Sequence, residues 1–200
     1  MKRRFLAMMI AVGFLLWHAP SRSQEKKVDK GAILFAPSVL FRGELARIAP
    51  HLDLTASGCV KIEYVGTKKI VAELETWRDG KAKSSALGWI DAVAAGEVSY
   101  SVREVRDDEG KKRYRFTLAA QGTTVQKNVD MPTVNLDLGV SSTNLDKQVP
   151  TKDDATVAVW VMTAGRGSDH TRRESIEERA RRVEWALVLR ITVMKSEAVD

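Results

Sequence analysis

The ten residues from Glu184 to Val193, EWALVLRITV, constrain the fold more than any other stretch of the chain. Trp185, Leu187, Leu189, Ile191 and Val193 recur at period two, the spacing of a strand that buries one face. Ala186 and Val188 make the opposite side apolar over the first half, so that half is expected to be covered on both faces. A strand of this kind sits inside a sheet with neighbours on either edge. Val157, Val159 and Val161 alternate with Ala158, Trp160 and Met162, which makes 157–162 the expected partner.

The earlier chain has strand patterning throughout. Ala32–Ala36 and Val39–Phe41 are short apolar runs broken by Pro37, which suits a kinked or edge strand. Val60, Ile62 and Tyr64 alternate with Lys61 and Glu63; a turn is expected at Gly66–Thr67, and Ile70, Ala72 and Leu74 alternate in the next strand. Asp79–Gly80 is the strongest hairpin signal, since both residues accept the positive φ of a type I′ turn. Residues 84–95 read as a short helix on Leu87, Ile90 and Ala94, or as a loop, because Gly88 weakens the helix. Val98–Val102 and Tyr114–Leu118 form a second hairpin around Asp107–Gly110, Gly122 marks a turn, and Val134, Leu136 and Leu138 alternate again. Residues 144–155 read as a polar loop. Ser175-Ile176-Glu177-Glu178 fits a capping box, with Arg179, Arg181 and Arg182 in the last turn and Ile176, Ala180 and Val183 as an apolar stripe. Many short strands and one short helix before the last strand predict an all-β antiparallel sandwich or barrel.

At 200 residues, 44% apolar and 29% charged, the chain has the balance of one ordinary globular domain. About 160 ordered residues bury roughly two-thirds of their unfolded surface. Size therefore calls for no cofactor. The first residues read as a targeting segment: Lys2, Arg3 and Arg4 precede an apolar run from Phe5 to Trp17, followed by Pro20 and small polar residues. That is a signal-peptide pattern, 1–23, with Ser23–Gln24 as the preferred cleavage bond. The alternative is an uncleaved N-terminal anchor, although the run is short of the ~20 residues a spanning helix needs. A flexible lead-in (24–30), a single domain (31–195) and a tail (196–200) complete the division. Export to the periplasm or cell exterior follows from the leader.

Losing the leader's four basic residues (Lys2, Arg3, Arg4, Arg22) takes the formal charge from +6 to +2, which argues against nucleic acid as a partner. Cys59 is the only cysteine, so no intrachain disulfide forms, and its setting Gly58-Cys59-Val60 predicts burial.

Candidate chemistry is sparse. Ser168, Asp169 and His170 bring triad residue types together, but sequence neighbours rarely face one another as a triad requires. His51 and His170, with one cysteine, fall short of a zinc ligand set. The acidic knots Asp107–Glu109 and Asp153–Asp154 lie at turns, where aspartate serves local hydrogen bonding. The interleaved arginines from Arg166 to Arg190 read either as a salt-bridged face or as a contact for an anionic partner. Trp160 and Trp185 belong to the core by their strands; Trp77 and Trp89 are freer to be exposed and to stack on a sugar. These patterns predict a non-enzymatic binding or interaction module. Its candidate contacts are Trp77, Trp89, Arg166, His170, Arg172 and Arg173, and its partner an envelope protein, a polysaccharide or an anionic surface. The alternative is a hydrolase with loop carboxylates or His170 at one end of the sandwich.

Overall fold

A computed structural model describes residues 32–42, 46–47, 52–134, 140–168 and 174–195. The expected leader, lead-in and tail lie outside these residues, as do His51, His170, Arg172, Arg173 and the alternating positions Leu136 and Leu138.

The closing strand, β9 (Trp185–Met194), lies within the sheet, with residues 185–189 all buried. On one side it pairs antiparallel with β8 (Thr156–Ala164), and on the other with β2 (Ala56–Arg78). β8 is buried from Val157 to Ala164, so the 157–162 partner expected from the sequence is the one observed. The remaining strands are β1 (Ile33–Ser38), β3 (Lys81–Arg106), β4 (Lys112–Ala120), β5 (Thr123–Asp130), β6 (Val140–Asn144) and β7 (Val149–Thr151), and the one helix is α1 (Ile176–Arg182). The sheet runs β5-β4-β3-β2-β9-β8-β6, with β1 joining β2 to β7. It folds over on itself as an antiparallel β-sandwich. The end strands β5 and β6 do not pair, so it is not a closed barrel.

The fold-over is built into the β2–β3 hairpin, whose strands of 23 and 26 residues belong to both layers. Residues 59–63 of β2 pair with β1 and 56–62 with 96–102 of β3, whereas 67–78 pair with 81–94 and 69–78 with β9. Between these halves the register shifts, and Gly66 takes φ +82°. The Gly66–Thr67 turn expected from the sequence is therefore a correction: the chain bends there without reversing. Bulges re-aim a strand in this way.

Residues 84–95 are a second correction, being neither helix nor loop but part of β3. Two register shifts against β2 add residues to this stretch, so Leu87, Ile90 and Val93 all point inward at intervals of three. That spacing imitates a helix in sequence. The polar 144–155 segment likewise contains the short strand β7, which extends β1. Pro37 lies beyond the three β1 residues that pair with β7, where β1 has no described strand on that side, a position that tolerates proline.

The two-residue hairpin turn at Asp79–Gly80 forms as expected, with φ +48° and +74°. The layers close on one another through Trp160 against Phe116 and Tyr100, and Trp185 against Tyr114, at ring separations of 5.7 to 6.3 Å. A smaller apolar cluster lies on the outside of the sheet, where α1 packs Ile176, Ala180 and Val183 against Trp77, Val161 and Val188. Cys59 is buried, as the sequence predicts.

Candidate functional site

The arginine-rich stretch is divided by the local fold into residues that hold the helix down and residues that face outward. Ser175 caps α1 by accepting from the Glu178 N–H, and the Glu178 carboxylate accepts from the Ser175 N–H. These bonds hold the Glu178 carboxyl below its ordinary value. Arg179 lies buried beneath the helix and donates to the Thr143 hydroxyl at 2.6 Å, tying α1 to β6. Arg190 reaches from the sheet to Glu75 and Glu177 at 2.8 and 3.5 Å. Arg182 donates to Glu174 at 3.1 Å.

Arg166 and Arg181 remain exposed. The 165–167 turn depends on positive φ at Gly165 and Gly167, both +80°. It is stitched to the end of the helix: the Glu184 N–H donates to the Arg166 carbonyl, and the Glu184 carboxylate accepts from the Arg166 N–H. The Glu184 carbonyl in turn accepts from the Asp79 N–H at 3.2 Å, bringing the hairpin tip alongside. Three elements thus meet around a 460 Å³ cavity to which Arg166, Arg181 and Arg182 contribute the cations, and Asp79 and Glu184 the carboxylates. Such an arrangement can hold an anion by charge-assisted hydrogen bonds. Of the predicted contacts, Arg166 lies here; His170, Arg172 and Arg173 fall outside the described residues.

The tryptophans separate in the same way. Trp160 and Trp185 are in the core, as their strands predict. Trp77 is buried between the sheet and α1, with its indole N–H donating to Glu75 at 3.0 Å, so it offers no free face. Trp89 is 61% exposed, with the Lys69 ammonium 5.1 Å from its ring centroid. It is the described tryptophan available to a ligand.

The acidic knots are used locally. The Asp107 carboxylate accepts from the Lys111 and Glu109 N–H groups and from Arg113. Desolvation pushes its pKa up, but these donors outweigh it and hold the carboxyl below its ordinary value. Asp153 pairs with Lys68 at 2.6 Å, and Asp154 accepts from the Lys195 N–H. No group of three or more His, Cys, Asp or Glu is placed to hold a metal among the described residues.

The larger concavity, 620 Å³, was not legible in the sequence. It lies at the open foot of the β2–β3 hairpin, far along both strands from the Asp79–Gly80 tip. Leu52 and Leu54 form one wall, and Arg103, Arg106 and Arg115 contribute the cations. The signal was two arginines, Arg103 and Arg115, on strands with a shared hairpin; only the register shows that they stand directly opposite one another. No protein-family model matches this chain, and neither does any curated protein or solved structure.

Proposed function

We propose that the chain is an exported, non-enzymatic binding module whose arginine-rich end engages an anionic partner of the cell envelope, either an acidic polysaccharide or an anionic lipid surface. The observation that carries this reading is the meeting of Arg166, Arg181 and Arg182, from two separate elements, on one cavity beside the hairpin tip. Among the described residues Arg166 forms no side-chain hydrogen bond or ion pair, which supports its guanidinium as a ligand contact. Export is supported by the basic, apolar and small-polar succession of residues 1–23. No described helix is long and apolar enough to cross a membrane.

The test uses the processed protein. Co-sedimentation with vesicles containing phosphatidylglycerol, and retention on immobilised heparin, are expected to exceed the signals with phosphatidylcholine and a neutral dextran. Both are expected to fall with salt, as contacts between exposed charges do. Arg166→Ala with Arg181→Ala is expected to remove the excess without lowering thermal stability. Equal retention of that variant, or no preference for either anionic probe, would overturn the reading. Expression with the leader is expected to yield a secreted product beginning at Gln24; an intact N-terminus on a membrane-bound product would favour the anchor.

A further inference from the structure

At the foot of the long hairpin the two strands part company. The register of β2 with β3 ends at Ala56↔Val102, and the last bond between them is the Thr55 N–H to the Val102 carbonyl at 2.8 Å. β3 nevertheless continues to Arg106, paired with β4 along its other side through Arg103↔Arg115, Glu104↔Tyr114, Val105↔Arg113 and Arg106↔Lys112. Over these four residues β3 has therefore lost its β2 neighbour, and among the described residues no strand lies opposite the backbone groups that point away from β4. Beyond this edge the segment 52–54 splays out, and the 620 Å³ groove lies between. An exposed strand edge beside a groove is the geometry by which a sheet accepts an added strand.

The charges around the edge select the partner. Arg103 and Arg115 stand directly opposite on one face, a like-charged pair that costs stability when nothing lies between. The Arg115 Nε donates to Asn128, and Arg106 donates to the Gly110 carbonyl, which leaves part of each fork open. Arg103 has no side-chain hydrogen bond or ion pair among the described residues. Two carboxylates also line the groove. Glu104 is neutralised by Lys112 at 2.6 Å, which leaves Asp53 as the one uncompensated acid against three guanidiniums. Leu52, 41% exposed, and Leu54 give the opposite wall an apolar surface for alternate side chains of an extended chain.

We propose that this groove binds an extended acidic polypeptide segment, which adds as a strand to the open edge of β3 at residues 103–106 and places its carboxylates on Arg103 and Arg115. The open backbone edge favours a polypeptide over a polysaccharide, because only a polypeptide supplies the matching row of N–H and C=O groups. The site is separate from the arginine corner at the other end of the hairpin and does not depend on that reading.

The test is fluorescence anisotropy of the processed full chain with a capped, labelled octapeptide alternating glutamate and valine. Its controls are the same peptide with lysine for glutamate, the glutamate peptide with alternate amides N-methylated, and unlabelled heparin as competitor. The glutamate peptide is expected to bind, and both altered peptides to bind at least tenfold more weakly. Arg103→Ala with Arg115→Ala is expected to weaken the glutamate peptide by a similar factor, while Arg166→Ala with Arg181→Ala leaves it unchanged. Should the double variant fold poorly, Arg103→Ala alone serves, since that side chain makes no bond to the described residues. Hydrogen exchange at residues 103–106 is expected to slow in the complex. Equal binding of the N-methylated peptide, or displacement by heparin at equal charge, would reduce the site to a general polyanion contact and overturn the proposal; so would binding that survives loss of both arginines.

Discussion

Gly58 and Tyr100 are register partners across β2 and β3, and the tyrosine ring occupies the space that a side chain at position 58 would need. A Cβ built at Gly58 would lie 2.5 Å from a ring carbon of Tyr100. With the glycine in place, the Tyr100 hydroxyl reaches Asn144 at 2.8 Å and so joins the layer of β2 and β3 to that of β6 and β8. Gly58→Ala is expected to destabilise the protein by about 1–3 kcal/mol through overpacking of this contact. Gly96→Ala is the control: its Cβ would meet nothing closer than 3.7 Å. Urea denaturation of the two variants is expected to show a lowered midpoint for the first and little change for the second.

The closing strand is expected to be indispensable for cooperativity. Leu187, Val188, Leu189 and Ile191 are fully buried between β2 and β8, so deletion of residues 184–200 removes the centre of the sheet. The truncated chain is expected to lose its single sharp thermal transition. Leu189→Ala, a milder change, is expected to cost about 2–5 kcal/mol while keeping one transition.

What was readable in the sequence depended on whether the backbone kept its regular period. The strands of 157–162 and 185–193, the Asp79–Gly80 turn and the Ser175–Glu178 capping box are local patterns, and each is found where residue spacing placed it. The 84–95 stretch was misread because its register shifts change the inward spacing from two to three, which no local rule separates from a helix, and the bend at Gly66 because a glycine at positive φ marks a bulge as well as a turn. Trp77 looked free beside a turn, yet the helix that covers it comes about a hundred residues later. The groove at β3 escaped for a related reason. Arg103 and Arg115 are ordinary alternating strand residues until the register sets them face to face, and the open edge exists only because β2 begins at Ala56.

The buried tyrosines predict an alkaline limit to stability. Burial raises the Tyr64 hydroxyl from an ordinary 10.0 to about 12. Tyr100 and Tyr114 are raised as well, burial being the first cause in each. A group with a raised folded pKa contributes stability that is complete below its unfolded value and lost as pH rises through the folded one. Stability is therefore expected to hold to about pH 10 and to fall steadily towards pH 12, where Tyr64 titrates. Tyrosinate absorbance near 295 nm is expected to lag behind that of the urea-unfolded chain over the same window. Tyr64→Phe, which deletes the bond to the Val93 carbonyl, is expected to flatten part of the slope.

Cys59 is expected to be silent in the native state. Burial pushes its thiol up, with Glu97 adding to the effect and Ser38 and Arg42 opposing it. Ser38, Arg42 and Glu97 are bonded to one another along the strand edge, with Arg42 2.7 Å from Glu97. Because the thiolate is the reactive form, a disulfide-exchange reagent at pH 8 is expected to label the thiol slowly in buffer and rapidly in urea. Prompt labelling of the native protein, followed by absorbance and mass, would show that this surface opens readily.

The helix cap gives a prediction with a defined pH dependence. Ser175→Ala removes the acceptor of the Glu178 N–H and is expected to cost about 1 kcal/mol at neutral pH. Because α1 covers Trp77, Val161 and Val188, the loss is expected to register in global unfolding rather than as fraying alone. Glu178→Gln tests the other half of the box. The Glu178 carboxyl is lowered from its ordinary 4.5, chiefly by the Ser175 N–H, so its contribution is present above that value and lost as pH falls through the folded one. The stability difference between wild type and Glu178→Gln is therefore expected at pH 7 and expected to vanish below the carboxylate range. The Ser175→Ala deficit is expected to shrink over the same interval but to persist in part, because its hydroxyl bond does not titrate. Thermal melts of the three proteins from pH 3 to pH 7 distinguish a reciprocal box from a serine cap acting alone.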